Sequence, residues 1–205
     1  MTTPLSQEYW DQRYLTGQTG WDIGYAAPAL VEYFDTLSNT ELRILIPGAG
    51  NAYEAAYLLD KGFGDVTVVD ISEIVCQKLT EKYAPKGLKV VCQDFFEHQG
   101  CYDLIVEQTF FCALLPTLRV AYIQKMRELL DDEGVLAGLL FNRAFEGGPP
   151  FGGHEAEYRA LFEAQQFDLQ INLEPRSIPP RQGSELFFIS SKKKNTAQMS
   201  RVFLS

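Results

Sequence analysis

Residues 42–70 constrain the fold of this 205-residue chain more than any other segment. Their sequence, LRILIPGAGNAYEAAYLLDKGFGDVTVVD, begins with a short apolar run, which is typical of a strand buried on both faces of a parallel sheet. Gly48 and Gly50 follow, then a helical pattern that ends in a Lys-Gly pair, then a second apolar run that ends in Asp70. This order predicts a strand–helix–strand unit with a glycine turn after the first strand and an acid at the tip of the second.

The glycine turn and the acid together predict a ligand that contains a ribose. Glycines let a ligand approach the backbone closely, and an acid at the second strand tip can accept both hydroxyl hydrogens of the sugar. A dinucleotide site would have a third glycine where this chain has Tyr53, so pyrophosphate binding is disfavoured. A nucleoside without phosphates, such as S-adenosylmethionine, needs only the turn and the acid. The alternative is that the G-x-G pattern is only a tight turn.

Composition and charge argue against several classes of partner. The chain is 46% hydrophobic and 22% charged, with a formal net charge of -9. Nucleic-acid binding depends on phosphate neutralisation by Lys and Arg, so an acidic chain is a poor candidate for it. No apolar run approaches the roughly 20 residues of a membrane span, and the first residues lack a signal pattern. We therefore expect a monomeric, cytoplasmic, single-domain protein (1–205) with no membrane or nucleic-acid partner.

The rest of the chain alternates strands and helices. Besides the central unit, the patterns predict strands at 88–91, 102–107, 135–141, 167–173 and 185–190, and helices at 72–83, 117–130 and 155–165. Two helices precede the unit, one with Thr3 as N-cap and Pro4 at its first position, the other opened by Pro28. We expect a doubly wound α/β sheet of seven strands, mostly parallel, with an antiparallel last strand because no helix separates the final two. Residues 192–205 are expected to form a mobile tail.

A segment rich in glycine and aromatic residues precedes the first strand. In GQTGWDIGYAAP, glycines alternate with Trp21 and Tyr25, and Trp10 and Tyr14 lie in the helix before it. One role for such aromatic side chains is packing in the core. The other is a lid, residues 1–25, that folds over a ligand and excludes water.

Two further residues follow the third predicted strand. Asp94 and Phe95 lie at the sheet edge where doubly wound folds bind ligands. Asp94 can accept a hydrogen from the amine of an adenine while Phe95 packs on its ring. Asp94 can equally cap a turn.

Motifs for other chemistries are missing from the sequence. The two histidines, His98 and His154, have no ligand partner at helical spacing, and we expect no metal site. Neither a phosphate-binding P-loop nor a G-x-S-x-G elbow occurs, so kinase and hydrolase functions lack their usual signals.

Several separated motifs occur in one order along nearly the whole chain. They are YWDQRYLTGQTGWDIGYAAPAL, ILIPGAGNAYEAAYL, VVDIS, QDFF, YDLIVEQTFFCALLPTLRVAYIQKM, DDEGVLAGLLF, GGPPF and IPPRQG. In these motifs the chain resembles the thiopurine S-methyltransferase superfamily, most closely its plant halide and thiol methyltransferase branch. The resemblance implies a Rossmann-like methyltransferase sheet with an N-terminal helical lid, and S-adenosylmethionine as the cofactor.

The resemblance also implies which residues bind the cofactor. These are Trp10, Tyr14, Trp21, Gly48, Gly50, Asp70, Ile71, Asp94, Phe95, Glu107 and Gln108. The three N-terminal aromatics would close over the cofactor, and Glu107 with Gln108 would lie near its methionine part. Tyr14 stands where the family usually has tryptophan, and Ala49 where it often has cysteine. Gln108 stands where animal thiopurine enzymes have arginine, which weakens any claim to thiopurines.

The acceptor is expected to be a small soft nucleophile, meaning a thiol, hydrosulfide, thiocyanate or halide. No paired acid and base occurs in the pocket-forming segments, so we assign no catalytic residue. We expect four aromatic residues to wall the acceptor pocket, with core packing as the alternative for each: Tyr25, Phe110, Phe111 and Phe151. A thiopurine methyltransferase, an NAD-dependent oxidoreductase and a non-catalytic S-adenosylmethionine-binding protein are the other functions considered.

Overall fold

A computed structural model describes residues 5–194, in which six helices and seven strands alternate. The helices are α1 (Gln7–Leu15), α2 (Pro28–Asp35), α3 (Tyr53–Asp60), α4 (Glu73–Tyr83), α5 (Arg119–Leu129) and α6 (Glu155–Ala164). The strands are β1 (Arg43–Pro47), β2 (Asp65–Asp70), β3 (Lys89–Cys92), β4 (Tyr102–Gln108), β5 (Leu130–Phe141), β6 (Phe167–Leu173) and β7 (Glu185–Lys192).

The seven strands form one sheet in the order β3-β2-β1-β4-β5-β7-β6. Strand β7 runs antiparallel to both β5 and β6, whereas β1 to β5 pair in parallel. The predicted doubly wound sheet with an antiparallel last strand is therefore confirmed. The strand order reverses between β1 and β4, which is where open α/β sheets bind their ligands.

Alternation along the central strands divides the core into two layers. Ile44 and Ile46 of β1 pack in the layer that contains α2, α3 and α4, and Leu45 packs in the layer that contains α5 and α6. All three are at most 3% exposed, and burying a side chain of this size contributes about 1.5–3 kcal/mol. Because both faces of β1 are covered, the glycine turn that follows it has a fixed position.

Some boundaries differ from those predicted. Helix α1 begins at Gln7, with Ser6 as its N-cap, and the predicted cap at Thr3 and Pro4 lies outside the described residues. Strand β5 begins at Leu130, five residues before the predicted start, because residues before Val135 form an irregularity against β4.

The predicted mobile tail falls mostly outside the described part of the chain. Its first residue, Lys192, belongs to β7, and the Lys193 N–H donates to the Gln166 carbonyl at 2.9 Å. Residues 195–205 lie outside the described residues. Between residues 5 and 194, no helix is long and apolar enough to cross a membrane.

Candidate active site

A cavity of about 990 Å³ opens along the carboxyl ends of the central strands. It includes ten of the eleven residues predicted to bind the cofactor: Trp10, Tyr14, Trp21, Gly48, Gly50, Asp70, Ile71, Asp94, Phe95 and Gln108. Its volume is at the upper end of the range for small-molecule sites, so a ligand and a second small reactant fit together. The strand tips meet here because parallel strands end at the same edge of a sheet.

The turn after β1 requires its glycines. Gly48 and Gly50 have φ angles of +62° and +52°, in the left-handed region that disfavours side chains. A Cβ atom on Gly48 would overlap the Phe110 ring, and one on Gly50 would lie 3.2 Å from the Tyr14 hydroxyl. The turn therefore packs closely against Phe110 and Tyr14 and also lines the cavity.

Asp70 lies beside this turn at the tip of β2. Its Oδ2 atom accepts from the Gly50 N–H at 3.2 Å and its Oδ1 atom accepts from the Ser72 N–H at 2.9 Å. Burial raises the pKa of this carboxyl to about 6, although the backbone hydrogen bonds oppose the shift. A carboxylate has about four acceptor sites, so it can still receive the two hydroxyl hydrogens of a ribose.

The N-terminal aromatic side chains cover one side of the cavity. The Trp10 and Tyr14 rings meet the Trp21 ring edge to face, with centroid distances of 5.6 and 5.7 Å. None of the residues of α1 is buried. The three aromatic rings therefore pack on one another and line the cavity, and Tyr14 also contacts the core.

Hydrogen bonds that the sequence analysis did not predict connect the N-terminal segment to the rest of the fold. Asp11 Oδ1 accepts from the Ser72 hydroxyl at 2.5 Å, which joins α1 to the N-cap of α4. Asn51 Nδ2 donates to Asp22 at 2.5 Å. Arg181 Nη2 donates to the Trp21 carbonyl at 2.9 Å, across 160 positions of sequence. A single sequence contains no pattern that shows which residues so far apart in the chain are in contact.

Asp94 caps a turn and also lines the cavity. Its Oδ1 atom accepts from the Phe96 N–H at 2.9 Å, at the start of a 3-10 turn, Phe95–Glu97. The capping alternative is thus confirmed, and the adenine role stays a prediction. Phe95 is 4% exposed and meets the Phe110 ring at 5.2 Å. It belongs both to the core and to the cavity wall.

Glu107 does not reach the cavity, contrary to the prediction. Its Oε1 atom accepts from the N–H groups of Phe110 and Phe111 at 2.8 and 2.9 Å, and Oε2 accepts from the Tyr122 hydroxyl at 2.5 Å. Full burial raises its pKa to about 7. Strand alternation places Glu107 on the same face as Ile105, toward α5. This side chain shapes the turn after β4 and is not part of the cavity lining.

Two of the four predicted acceptor-wall residues do line the cavity, and two do not. Tyr25 and Phe110 line it. Phe111 is 1% exposed and packs edge to face on Tyr122 at 5.1 Å, so it belongs to the core. Phe151 lies behind the wall, where its N–H donates to the Cys112 carbonyl at 2.6 Å. These two were wrongly placed because core and pocket aromatics have the same sequence signal.

The loop after β5 supplies the far end of the cavity. Phe141, Arg143 and Phe145 line it, together with Pro149 and Arg181. The sequence analysis assigned none of them. The long Gly/Pro-rich segment NRAFEGGPPFGG was the available signal, since loops of this length in compact domains are usually functional.

The family follows from comparison with known proteins. The sequence profile described as thiopurine S-methyltransferase matches residues 5–185. The chain belongs to the thiopurine S-methyltransferase family. It is 30% identical to the probable thiol methyltransferase 2 of Arabidopsis thaliana and 32% to the thiocyanate methyltransferase 1 of Brassica oleracea. Each match covers 86% of this chain and 81% of the relative. The predicted resemblance is thus confirmed.

A solved structure shows the same fold. The crystal structure of 1,6-didemethyltoxoflavin-N1-methyltransferase from Burkholderia thailandensis, with 1,6-didemethyltoxoflavin and S-adenosylhomocysteine bound, superposes with a TM-score of 0.72. The match covers 92% of this chain and 87% of the other at 20% identity. At this identity the likeness shows the fold.

This member of the family is a methyltransferase, and its cofactor is S-adenosylmethionine. The cavity fits that cofactor. Gly48, Ala49 and Gly50 line the cavity, so a ligand there can contact the backbone of the turn. The buried Asp70 carboxylate beside the turn has acceptor capacity left for a ribose. Within residues 5–194, no group of three His, Cys, Asp or Glu residues is placed to hold a metal ion.

Proposed function

We propose that this methyltransferase acts on a small soft nucleophile, namely a thiol, hydrosulfide, thiocyanate or halide, by in-line displacement without a dedicated base. The composition of the cavity wall carries the proposal. No histidine or lysine lines it within the described residues, and apart from Arg143 and Arg181 its far end is mainly phenylalanine, leucine and proline. The names of the plant relatives, thiol and thiocyanate methyltransferases, support the same class of acceptor.

The carboxylates in the cavity are already engaged as hydrogen-bond acceptors. Asp22 accepts from Asn51, Glu54 from the Ala27 N–H at 2.9 Å, and Asp70 from two backbone N–H groups. Asp94 caps its turn. Among these four, Asp22 also accepts from the Tyr53 hydroxyl, at 3.4 Å, and none of the four is hydrogen-bonded to a histidine, lysine or second carboxyl group. Nucleophiles that are anionic, or readily made so in water, need no such couple.

The residues of the chain have distinct roles in this proposal. When bound, S-adenosylmethionine supplies an electrophilic methyl group on a sulfonium. Asp70 accepts from the ribose, and the turn at Gly48 and Gly50 leaves room for the methionine part. Trp10 and Trp21 exclude water from above, and Phe110 borders the space for the acceptor. The nucleophile must lie about 3 Å from the methyl carbon, opposite the breaking bond.

We also propose that the N-terminal segment, residues 1–25 in the sequence prediction and 5–25 in the described chain, is a lid. Its support is the lack of buried residues in α1 and the few polar contacts that hold it to the rest of the fold. An opening lid admits ligands, and a closed one excludes water from the reaction.

An acceptor panel tests the proposal. Purified protein with S-adenosylmethionine is offered hydrosulfide, iodide, thiocyanate, small thiols and a thiopurine, and methylated products are measured in the headspace or by mass spectrometry. Turnover of the small nucleophiles is the expected result. Activity confined to thiopurines or other bulky aromatic thiols would instead favour the thiopurine branch, for which the aromatic cavity wall is the supporting observation. Cofactor binding without turnover of any acceptor would overturn the proposal.

A further inference from the structure

Two arginines and two phenylalanines form one wall at the far end of the cavity. The Arg143 guanidinium lies 4.7 Å from the Phe145 ring centroid, and Arg181 lies 5.5 Å from that of Phe141. The two phenylalanine rings meet edge to face at 5.0 Å. All four residues line the cavity. A cation thus stands at each end of an aromatic pair.

The charges of the two arginines differ in how they are compensated. Arg181 is paired with Glu185 at 3.2 Å and also donates to the Trp21 carbonyl, and its side chain is only 11% exposed. Arg143 is exposed and forms no salt bridge with any residue between 5 and 194. Its positive charge is therefore available to a ligand.

The backbone that carries Arg143 is held in place. The Gly153 N–H donates to the Arg143 carbonyl at 3.0 Å, and Arg119 Nη2 donates to the Gly152 carbonyl at 2.6 Å. These contacts close the base of the loop against α5. The stacked guanidinium on this anchored backbone is oriented toward the cavity, which favours recognition of a planar anion.

Two of the acids and two of the arginines that line the cavity lie at opposite ends of the sheet, and Arg13, Asp22 and Glu54 line it as well. Asp94 and Asp70 lie at the β3 and β2 end, where the nucleoside belongs, and Arg143 and Arg181 lie at the β5 and β7 end. Three strand spacings of about 4.8 Å separate β2 from β5, so the two ends are about 14 Å apart. Because Glu185 balances the charge of Arg181, Arg143 supplies the available positive charge at the acceptor end within the described residues, in a chain that carries -9 as a whole.

We infer that Arg143 binds a negatively charged group of the acceptor other than its nucleophile, so that the preferred acceptor is a small thiol that carries a carboxylate. This inference rests on the proposed function. The guanidinium fork matches a carboxylate with two parallel hydrogen bonds. The acceptor sulfur loses its proton to water and forms the new bond to the methyl carbon. The old carbon–sulfur bond breaks with its electron pair on the departing sulfur, and the carboxylate is unchanged.

The test compares 3-mercaptopropionate with its neutral isostere, 3-mercaptopropionamide, in wild type, Arg143→Gln and Arg143→Lys. Arg159→Gln is the matched control, since Arg159 is paired with Glu155 on α6 and does not line the cavity. We expect Arg143→Gln to raise KM for the carboxylate about fivefold, a size typical of a partly exposed ion pair, and to leave the amide unchanged. The effect should shrink at high salt, and Arg143→Lys should keep part of it.

Other results of this comparison would contradict either the inference or the proposed function. Equal changes in KM for the carboxylate and the amide, or no change for either, would overturn the inference while the proposed function stands. Iodide is a further arm, because its charge is on the nucleophile itself. If Arg143→Gln raised KM for iodide as much as for 3-mercaptopropionate, Arg143 would be acting on the charge of the nucleophile. That result would contradict recognition of a separate carboxylate. A wild-type enzyme that methylates iodide but no thiol would also overturn the inference, whereas one that methylates none of the small nucleophiles would overturn the proposed function.

Discussion

The Ser72 hydroxyl donates to the Asp11 carboxylate at 2.5 Å, while the Ser72 N–H donates to the Asp70 carboxylate at 2.9 Å. One serine thus connects the N-terminal helix to the acid expected to bind the ribose. The charge of Asp11 also contributes to the raised pKa of Asp70. We therefore expect the position of the proposed lid and the state of the cofactor site to be coupled through the first turn of α4, where Asp11 also accepts from the Ile74 N–H at 3.3 Å.

This coupling predicts the behaviour of Asp11→Ala. Loss of the charged hydrogen bond should lower the free energy of opening of α1 by about 1 kcal/mol, since the pair is partly exposed. Hydrogen exchange at residues 7–15 should then accelerate about fivefold, and S-adenosylhomocysteine should slow it again. Gln12→Ala, at an exposed neighbour on the same helix, is the control. Unchanged exchange of α1 in Asp11→Ala, or full protection of this segment without ligand, would contradict the lid.

The Asp70 carboxyl predicts a pH dependence of cofactor binding. Its pKa is about 6 without ligand, and the ionised form accepts more strongly from the ribose hydroxyls than the protonated form does, so bound ligand lowers that pKa. Affinity for S-adenosylhomocysteine should be constant above pH 7 and fall toward tenfold per pH unit below 6. Asp70→Asn should bind about 1.5–3 kcal/mol more weakly at pH 7.5 and lose the pH dependence. Calorimetry between pH 5 and 8 measures both, and equal affinity of the folded variant would disprove the ribose contact.

The buried Glu107 predicts a pH dependence of stability with the opposite sign to that of a salt-bridged acid. Its pKa is raised from 4.5 to about 7, so the folded state binds more protons than the unfolded state between these values. The contribution of Glu107 to the free energy of unfolding should therefore be highest below pH 4.5. It should fall by about 3 kcal/mol between pH 4.5 and 7 and stay constant above that range. Other acids titrate in the same range, so the comparison with Glu107→Gln isolates this contribution.

Glu107→Gln keeps an oxygen for the Phe110 and Phe111 N–H groups and carries no charge. The difference in unfolding free energy between variant and wild type, measured by denaturation from pH 5 to 8, should shift in favour of the variant as pH rises. A difference that does not vary with pH would show that Glu107 titrates normally.

Most of the fold could be predicted from the sequence because its signals are local and repeated. The apolar run of β1, the glycine turn and Asp70 each follow from one short segment, and strand alternation decides which helix layer covers which face. The start of β5 was misplaced because the irregularity before Val135 depends on its pairing with β4. Such a pairing is a long-range property, which local patterns do not contain.

The site was predicted less evenly than the fold. Residues at strand tips were placed correctly because topology brings those tips together, as for Gly48 and Asp70. Glu107 was misplaced although alternation from Ile105 points it away from the cavity, so the signal existed and was outweighed by the resemblance. For Arg143 the only signal was the long Gly/Pro-rich loop that contains it, and Arg181 had none, since the position of both depends on how separate loops meet over the cavity.

The last prediction concerns the proton of a thiol acceptor. If the reacting species is a free thiolate made by water, kcat/KM should rise with pH and follow the pKa of each thiol. For iodide, kcat/KM should not rise with pH in this way.

Substitution of Glu54 tests whether the enzyme itself supplies a base. Glu54 is a buried carboxylate that lines the cavity, and burial raises its pKa, as expected of a general base. Glu54→Gln keeps the acceptor for the Ala27 N–H, so its fold should be retained. We expect kcat/KM of the variant to remain within about twofold of the wild-type value and to rise with pH in the same way for each thiol. The reason is that the proposed reaction does not use the charge of Glu54. A limb with one apparent pKa for all thiols, lost in Glu54→Gln with a rate decrease of about 100-fold or more, would identify Glu54 as the base. Iodide turnover unchanged in that same variant would show that proton removal alone had been lost.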